Sequence, residues 1–345
     1  MIVVFENIAY ILDAGKKTAT VTKNPGGYSG RVVIPDSIEH EGEAYIVTDI
    51  LDEAFAGCVS LSAVELGSNV ESVGISAFEG CLCLEYVKFS SALHVVGVNA
   101  FKGCCSLVEL SFPLNLIVIG KGAFAGCTAL EKVVLPANLI NIEPSLFDGC
   151  TALESIAIGE MVESIGEYAF CGCSSLTVVA FPSGLVSIEG WAFRDCISLS
   201  KVELPQSLVS IKKGAFWGCS SLTEFELPSG VNMLDQGVLA GCTGLRSVKL
   251  HDGVLSIGYG AFYNCGVIES ITLPSSVVSV GEQAFRSCAS LKELRVLCDA
   301  APMCSGDIAD GRVYGNAVLH VKKGLVGEYG FARIWERFGN VQEIE

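Results

Sequence analysis

The residues of this chain best suited to chemistry are its 16 cysteines. Thiolates bind metals, form disulfides and act as nucleophiles, so their spacing decides which chemistry is open to them. A constant spacing of 23 residues is typical of a structural position in a repeat. Eleven cysteines share that spacing: Cys58, Cys81, Cys104, Cys127, Cys150, Cys173, Cys196, Cys219, Cys242, Cys265 and Cys288.

We expect these eleven residues to form a ladder of buried thiols. Strands stacked about 4.8 Å apart place neighbouring Cα atoms within disulfide range. Parallel side chains, however, hold the Cβ atoms at about the same distance, beyond the ~3.8 Å that disulfides favour. Cys81 with Cys83, and Cys171 with Cys173, have the spacing of a metal clamp, but the ladder residue of each pair should point inward and no histidine lies nearby. No metal and no cofactor is expected.

Cys298 and Cys304 leave an alternative open, because they lie six residues apart after the last repeat. In an oxidising compartment they could close a small loop; otherwise they are two unlinked thiols.

No other motif indicates catalysis. Phosphate-binding glycine loops and nucleophile-elbow motifs are absent from the sequence. Glu203 and Glu226 should lie side by side on adjacent strands, near the spacing of about 5 Å that glycosidase carboxylates use. Repeats create such pairs without selection, and an open sheet offers little desolvation to shift a pKa. An enzyme is therefore not expected. Four histidines match no ligand or triad spacing and are expected on the surface: His40, His94, His251 and His320.

The elements that position these residues are repeats. The phenylalanine of "AFCGC" recurs every 23 residues from Phe55 to Phe285, with Leu239 in one place. Such a period is typical of a solenoid, in which stacked units share one core. In "LSKVELPQSLVSIKKGAFWGCSS", apolar and polar residues alternate from Leu199 and predict a strand of about six residues that Pro205 ends. The position before each ladder cysteine is Gly, or Asp, Asn or Ser, which predicts a left-handed backbone turn.

One face of each strand should be buried and the other presented to solvent. In the middle of the array, Val134, Ala157, Val178 and Ala180 are predicted to form an apolar island with a charged rim, as protein contact sites often do. The alternative is that small and β-branched residues merely suit a sheet surface. The candidate binding residues are Tyr86, Lys132, Val134, Ser155, Ala157, Val178, Ala180, Lys201 and Glu203.

The two ends should cap the exposed cross-sections of the array. Residues 1–49 are predicted to form a β cap, in which "FENIAYIL" and "TATVTK" are two strands. Residues 50–297 are predicted to form the repeats. Residues 298–345 predict a closing segment. In it, "VYGNAVLHVKKG" reads as a strand. In the helix that follows, Phe331, Ile334, Trp335 and Phe338 should seal the last coil.

Composition limits the partners. The net charge of −16 disfavours nucleic acid. Every apolar run is too short for a membrane span. The start "MIVVFENIAYIL" does not resemble a signal peptide, so either the chain is intracellular or a leader was removed.

The pattern resembles the BspA-like leucine-rich-repeat family, whose units look like "LxxVxLPxxLxxIGxxAFxGCxx", most closely at 176–198 and 199–221. Residues 28–50 and 317–345 also resemble the family's terminal segments. The resemblance implies an α/β-type repeat solenoid, mainly β and irregular coil, with a parallel β-sheet on the concave face of a curved right-handed array. It also implies a secreted or cell-surface location, with a removed leader, and a monomeric adhesion scaffold that binds a host extracellular-matrix or cell-surface protein. A self-associating surface coat is the alternative, and a carbohydrate-active hydrolase is the least favoured.

Overall fold

The computed structural model describes residues 1–344. The chain forms two compact units, Met1–Leu176 and Thr177–Glu345. In both, the chain winds into coils whose strands pair in parallel with the coil 23 residues further on. The predicted fold class, a repeat solenoid of parallel strands and irregular coil, is confirmed. The division into a cap, repeats and a closing segment concerns other boundaries and stays a prediction.

The first unit begins with strands that close its N-terminal end. They are β1 (Ile2–Phe5), β2 (Ile8–Asp13), β3 (Thr18–Thr22), β4 (Gly30–Val33), β5 (Ser37–His40) and β6 (Glu43–Ile50). β1 to β3 form an antiparallel meander, and β3 then pairs in parallel with β6. The prediction of a single strand in "FENIAYIL" is wrong. Glu6 and Asn7 both have positive φ, 48° and 66°, so the chain reverses between β1 and β2.

Each coil of the repeats carries a first strand, predicted from the alternating pattern. Most first strands have three residues rather than the predicted six, and β19 ends two residues before Pro205. In the first unit they are β7 (Leu61–Glu65), β9 (Tyr86–Lys88), β11 (Glu109–Leu110), β13 (Lys132–Val134) and β15 (Ser155–Ala157). In the second unit they are β17 (Val178–Ala180), β19 (Lys201–Glu203), β21 (Glu224–Glu226), β23 (Ser247–Lys249), β25 (Ser270–Leu273) and β27 (Glu293–Val296).

A second strand of two residues follows in each coil, and the sequence pattern did not reveal it. In the first unit these strands are β8 (Ser72–Val73), β10 (Val95–Val96), β12 (Val118–Ile119), β14 (Asn141–Ile142) and β16 (Ser164–Ile165). In the second unit they are β18 (Ser187–Ile188), β20 (Ser210–Ile211), β22 (Met233–Leu234), β24 (Ser256–Ile257), β26 (Ser279–Val280) and β28 (Met303–Cys304). The second residue of these strands is buried in almost every case, so both strands of a coil contribute side chains to the same core.

A column of phenylalanine rings fills the core of the first unit. From Phe55 to Phe170 the rings of successive coils stack with centroids 4.6 to 5.9 Å apart and planes within 12° of parallel. Tyr28 continues the column into the cap, 4.3 Å from Phe55. In the second unit Leu239 takes one place in the column and is equally buried. The turn therefore needs a large apolar side chain that fills the coil, which phenylalanine and leucine both supply.

The turn before each ladder cysteine has the left-handed backbone that the sequence predicted. Gly149 has φ of 74°, and the substitutes Asp195, Asn264 and Ser287 have φ of 57°, 59° and 63°. A Cβ atom at Gly149 would lie 3.9 Å from the Cα of Gly126 in the coil before it. The position therefore selects glycine, and asparagine, aspartate or serine elsewhere, by backbone conformation rather than by crowding.

The C-terminal segment differs from its prediction in two places. It contains α1 (Gly311–Asn316), β29 (Val318–Val321), α2 (Val326–Phe331), a 3-10 turn (Trp335–Arg337) and β30 (Asn340–Glu343). The first four of the twelve residues of the predicted strand lie in α1, because the Asp310 carboxylate accepts the N–H groups of Arg312 and Val313 and caps a helix there. None of the helices in residues 1–344 is long and apolar enough to cross a membrane.

The predicted aromatic seal is partly wrong. Trp335 and Phe338 are buried, and Trp335 packs against Tyr329 at 5.6 Å. Phe331, however, is 90% exposed. The chain does not continue as one helix, since α2 ends at Phe331 and Ile334 has φ of 81°. Helical spacing therefore does not put these four side chains on one face.

Candidate functional site

The thiol ladder is structural. In residues 1–344, ten of the eleven ladder cysteines are buried. Cys150 shows the common geometry: its S–H donates to the carbonyl oxygen of Phe124, 3.2 Å away, which also accepts the N–H of Cys127 at 3.2 Å. The predicted buried ladder is confirmed, with Cys58 as an exception. Cys58 is half-exposed because it lies in the first coil, where the Tyr28 N–H donates to its sulfur at 3.4 Å.

Burial also removes the reactivity of these thiols. It raises the pKa of Cys81 and that of Cys288 to about 12, and it raises the pKa of Cys150 well above its usual value. A raised pKa makes a thiol a poor nucleophile at neutral pH, because the thiolate is the reactive form. Cys298 and Cys304 are unlinked thiols, and burial raises their pKa values to about 11 and about 12.

The other candidate chemical groups are dispersed. No group of three or more His, Cys, Asp or Glu in residues 1–344 is placed to hold a metal ion. Of the expected surface histidines, His94 is exposed and the other three are partly exposed, among them His251. The Nε2 of His251 lies 2.9 Å from the carbonyl oxygen of Val231, and its Nδ1 accepts the Gly253 N–H at 3.0 Å. The ring thus shapes the turn in which it replaces proline.

The strand face of each unit, defined as the outward side chains of its first strands, β7 to β15 in the first unit and β17 to β27 in the second, is the candidate site. In β13, Val133 is buried while Lys132 and Val134 point to solvent. The same alternation places all nine predicted residues on this face, where Ser155 is half-exposed and the other eight are exposed. Tyr86 lies apart from the rest of the first unit's candidates, on β9 beside Ala63 of β7.

Apolar and charged side chains divide this face differently in the two units. In the first unit Val134, 69% exposed, lies beside Ala157, and Lys132 lies beside Ser155. In the second unit the candidate apolar residues lie beside charges, because Val178 pairs with Lys201 and Ala180 pairs with Glu203. That these four apolar residues act as one binding island stays a prediction.

A shallow groove of about 410 Å³ lies on the strand face of the second unit. Two lysine–glutamate ion pairs line the groove: Lys201 Nζ lies 2.5 Å from the Glu203 carboxylate, and Lys249 Nζ lies 3.1 Å from the Glu226 carboxylate. The sequence-based candidates include only two residues of this groove. The exposed lining residues that were missed are Gln206, Glu224, Glu226, Ser247 and Lys249, although the last four share the registers of Lys201 and Glu203.

The ion pair of Lys201 with Glu203 sets the acidity of both groups. The Lys201 ammonium, hydrogen-bonded to the Glu203 carboxylate, lowers the pKa of that acid, and the carboxylate raises the pKa of Lys201. A general acid needs the opposite shift, a raised pKa, to hold a proton near neutral pH. The direction of the Glu203 shift therefore does not favour this carboxyl as a general acid.

Comparisons with solved structures agree with the fold. A leucine-rich repeat protein from Bacteroides ovatus is 24% identical, with a TM-score of 0.67 over 99% of this chain and 100% of that one. A leucine rich cell surface protein from Faecalibacterium prausnitzii is 26% identical, with a TM-score of 0.54 over 86% of this chain and 94% of that one. The pneumococcal vaccine antigen PcpA shares 16% identity and a TM-score of 0.58, over 100% and 98% of the two chains.

A search of curated proteins found no match. Six copies of the BspA type leucine rich repeat region match residues 45–154, 141–265 and 210–299. These ranges cover most of the chain and include the phenylalanine column, the thiol ladder and the strand face. The chain therefore belongs to the BspA-type leucine-rich-repeat family.

Proposed function

We propose that this chain is a non-catalytic, monomeric binding scaffold that recognises a protein partner through its strand face. The observation that carries the proposal is the groove of the second unit, where Lys201, Glu203, Glu226 and Lys249 present alternating charges to solvent. The core does not use these side chains, because the buried residue of each first strand lies between them, as Phe225 does in β21. Exposed charges of both signs, fixed on a rigid sheet, favour a complementary charged protein surface.

We place the protein at the cell surface or in the secreted fraction, in contact with host proteins or cells. This rests on the family and on the similarity to a Faecalibacterium prausnitzii protein described as a cell surface protein. A carbohydrate-active hydrolase is disfavoured by the lowered pKa of Glu203, which keeps that carboxylate ionised.

The test is a binding screen against extracellular-matrix proteins and host cell-surface proteins, with one variant for each unit. Val134→Asp changes the apolar surface of the first unit, and the charge exchange Lys201→Glu with Glu203→Lys reverses the groove of the second. Val209→Asp is the matched control, since Val209 is 56% exposed and lies outside the first strands.

We expect a partner whose affinity falls at least tenfold for the charge exchange and stays unchanged for the Val209 variant, with far-UV circular dichroism showing that all variants fold. Equal binding by every variant would contradict a role for the strand face. A dimer or larger species in light scattering of the unmodified protein would instead support the self-associating coat.

A further inference from the structure

The turns of the second unit present exposed aromatic rings outside the strand face. Trp217 is 37% exposed, and its six-membered ring lies on the backbone of Gly237 in the next coil. A Cβ atom on Gly237 would come within 2.8 Å of the Trp217 Cε3 atom, so only glycine lets the ring lie there. The indole Nε1 lies beside Gly241. The ring thus lies against glycine backbone, while more than a third of the Trp217 surface stays open to solvent.

Two partly or fully exposed tyrosines lie in the coil that follows Gly237 and Gly241. The Gly237 N–H donates to the carbonyl oxygen of Tyr259 at 2.8 Å, and the Gly241 N–H donates to that of Tyr263 at 2.7 Å. Tyr259 is 45% exposed, and Tyr263 is half-exposed. Trp217 and Tyr263 occupy the same register two coils apart, which corresponds to roughly 10 Å at the spacing of stacked strands. We call Trp217, Tyr259 and Tyr263 the aromatic patch.

The fold does not require aromatic residues at these places. The register of Trp217 and Tyr263 holds Ala125 and Asp148 in the first unit and Ala240 between the two rings, so an alanine completes the turn equally well. The register of Gly237 holds residues with side chains in other coils, including Ser145 and Gln283, which also have positive φ. The backbone accounts for the glycine, since Gly122, Gly214 and Gly260 share its register and its positive φ, but it does not account for the exposed indole.

Hydrogen-bonding side chains border the patch. Lys213 and Gln236 are exposed on the neighbouring turns, and the Lys213 ammonium lies 4.2 Å from the centre of the Trp191 ring. Asn264 follows Tyr263 and is also exposed. Flat apolar rings with amide and ammonium groups at their margin match the two features of a sugar ring, a flat C–H face and a rim of hydroxyls.

We propose that the aromatic patch is a binding site for a neutral glycan, whose sugar rings stack on Trp217 and Tyr263 and whose hydroxyls bond to the bordering side chains. The net charge of −16 disfavours polyanionic glycans. A protein partner fits less well. Three aromatic side chains of about 150–250 Å² each, less than half exposed, offer far less than the roughly 800 Å² per partner of a stable protein interface.

The test is retardation of the intact protein in native gels that contain one neutral polysaccharide each, a β-1,3-glucan, a mannan, a xylan or starch, with heparin as the polyanionic comparison. Trp217→Ala is expected to abolish retardation by the active glycan, and Tyr263→Ala to weaken it at least threefold. Phe331→Ala is the control, because Phe331 is a more exposed aromatic residue at a distant point of the second unit.

A measurement on the unmodified protein guards against a variant that misfolds. Trp335 is buried, so acrylamide quenching of tryptophan fluorescence should report mainly on Trp217 and Trp191, and the active glycan should reduce it. The proposal is overturned if no neutral glycan retards the protein or protects its fluorescence, if Trp217→Ala binds within twofold of the unmodified protein, or if heparin binds best. The Lys201→Glu, Glu203→Lys variant should bind the glycan normally, which separates this site from the strand face.

Discussion

The thiol ladder should make the protein unusually sensitive to alkali. In the first unit, burial raises the pKa of five ladder thiols, that of Cys81 to about 12: Cys81, Cys104, Cys127, Cys150 and Cys173. An unfolded cysteine ionises near pH 8.5. Above that pH the unfolded chain loses protons that the folded chain keeps, so stability is complete below about pH 8.5 and falls as pH rises towards the folded pKa values.

The size of the pH effect on the free energy of unfolding follows from the number of thiol protons that are released only on unfolding. Each thiol contributes a slope of about 1.4 kcal/mol per pH unit, so the five lower the free energy of unfolding of the first unit by about 7 kcal/mol per pH unit above pH 9. A typical domain has only about 5–15 kcal/mol of stability. The first unit should therefore unfold within about two pH units of the unfolded thiol pKa.

The assay is urea unfolding of the reduced protein, followed by far-UV circular dichroism at intervals from pH 7.5 to 10. Replacing Cys127 and Cys150 by alanine should reduce the slope by about 3 kcal/mol per pH unit, because two of the titrating thiols are gone. The control is Cys83→Ala with Cys105→Ala, two exposed thiols whose loss should leave the slope unchanged. A slope equivalent to one proton or fewer would refute the reasoning, since the folded ladder would then ionise like the unfolded chain.

Three further predictions concern the repeat and its surface. Phe101→Ala should lower the free energy of unfolding in urea by about 3–5 kcal/mol, because it opens a cavity in the ring column. Phe101→Leu should lower it by less than about 1.5 kcal/mol, since Leu239 fills the same position in another coil. Equal losses for the two variants would contradict the account of the column. Gly149→Ala should lower the free energy of unfolding by about 1–2 kcal/mol, because Gly149 has a φ of 74°. Gly149→Asn should lower it less, since Asn264 adopts the same conformation. An unchanged urea midpoint for the alanine variant would contradict this role of the backbone. Glu203→Gln should leave the urea midpoint nearly unchanged, because its ion pair with Lys201 is exposed to solvent. A clear loss of stability in the same assay would show that the groove is part of the folded framework.

Much of the site could be predicted from the period alone. Residues 23 apart lie side by side in stacked coils, so the register alone predicts the observed pairing of Lys132 with Ser155 and of Val134 with Ala157. The left-handed turn at Asn264 was equally predictable, because the substitutions at that register show which side chains the backbone tolerates. Features that do not repeat were predicted less well: Phe331 was assigned to the core and lies in solvent.

The sequence by itself determined the coil, its buried and outward positions and the inward direction of its cysteines, because these depend on a local pattern that every repeat enforces. Only the tertiary structure decided which groups meet across that pattern. The Lys201 ammonium lies on Glu203, and the Trp217 ring lies on Gly237, because side-chain rotamers and neighbouring coils select one contact among several that the register permits. The groove in the second unit and the aromatic patch follow from such contacts, and both proposed binding sites depend on them.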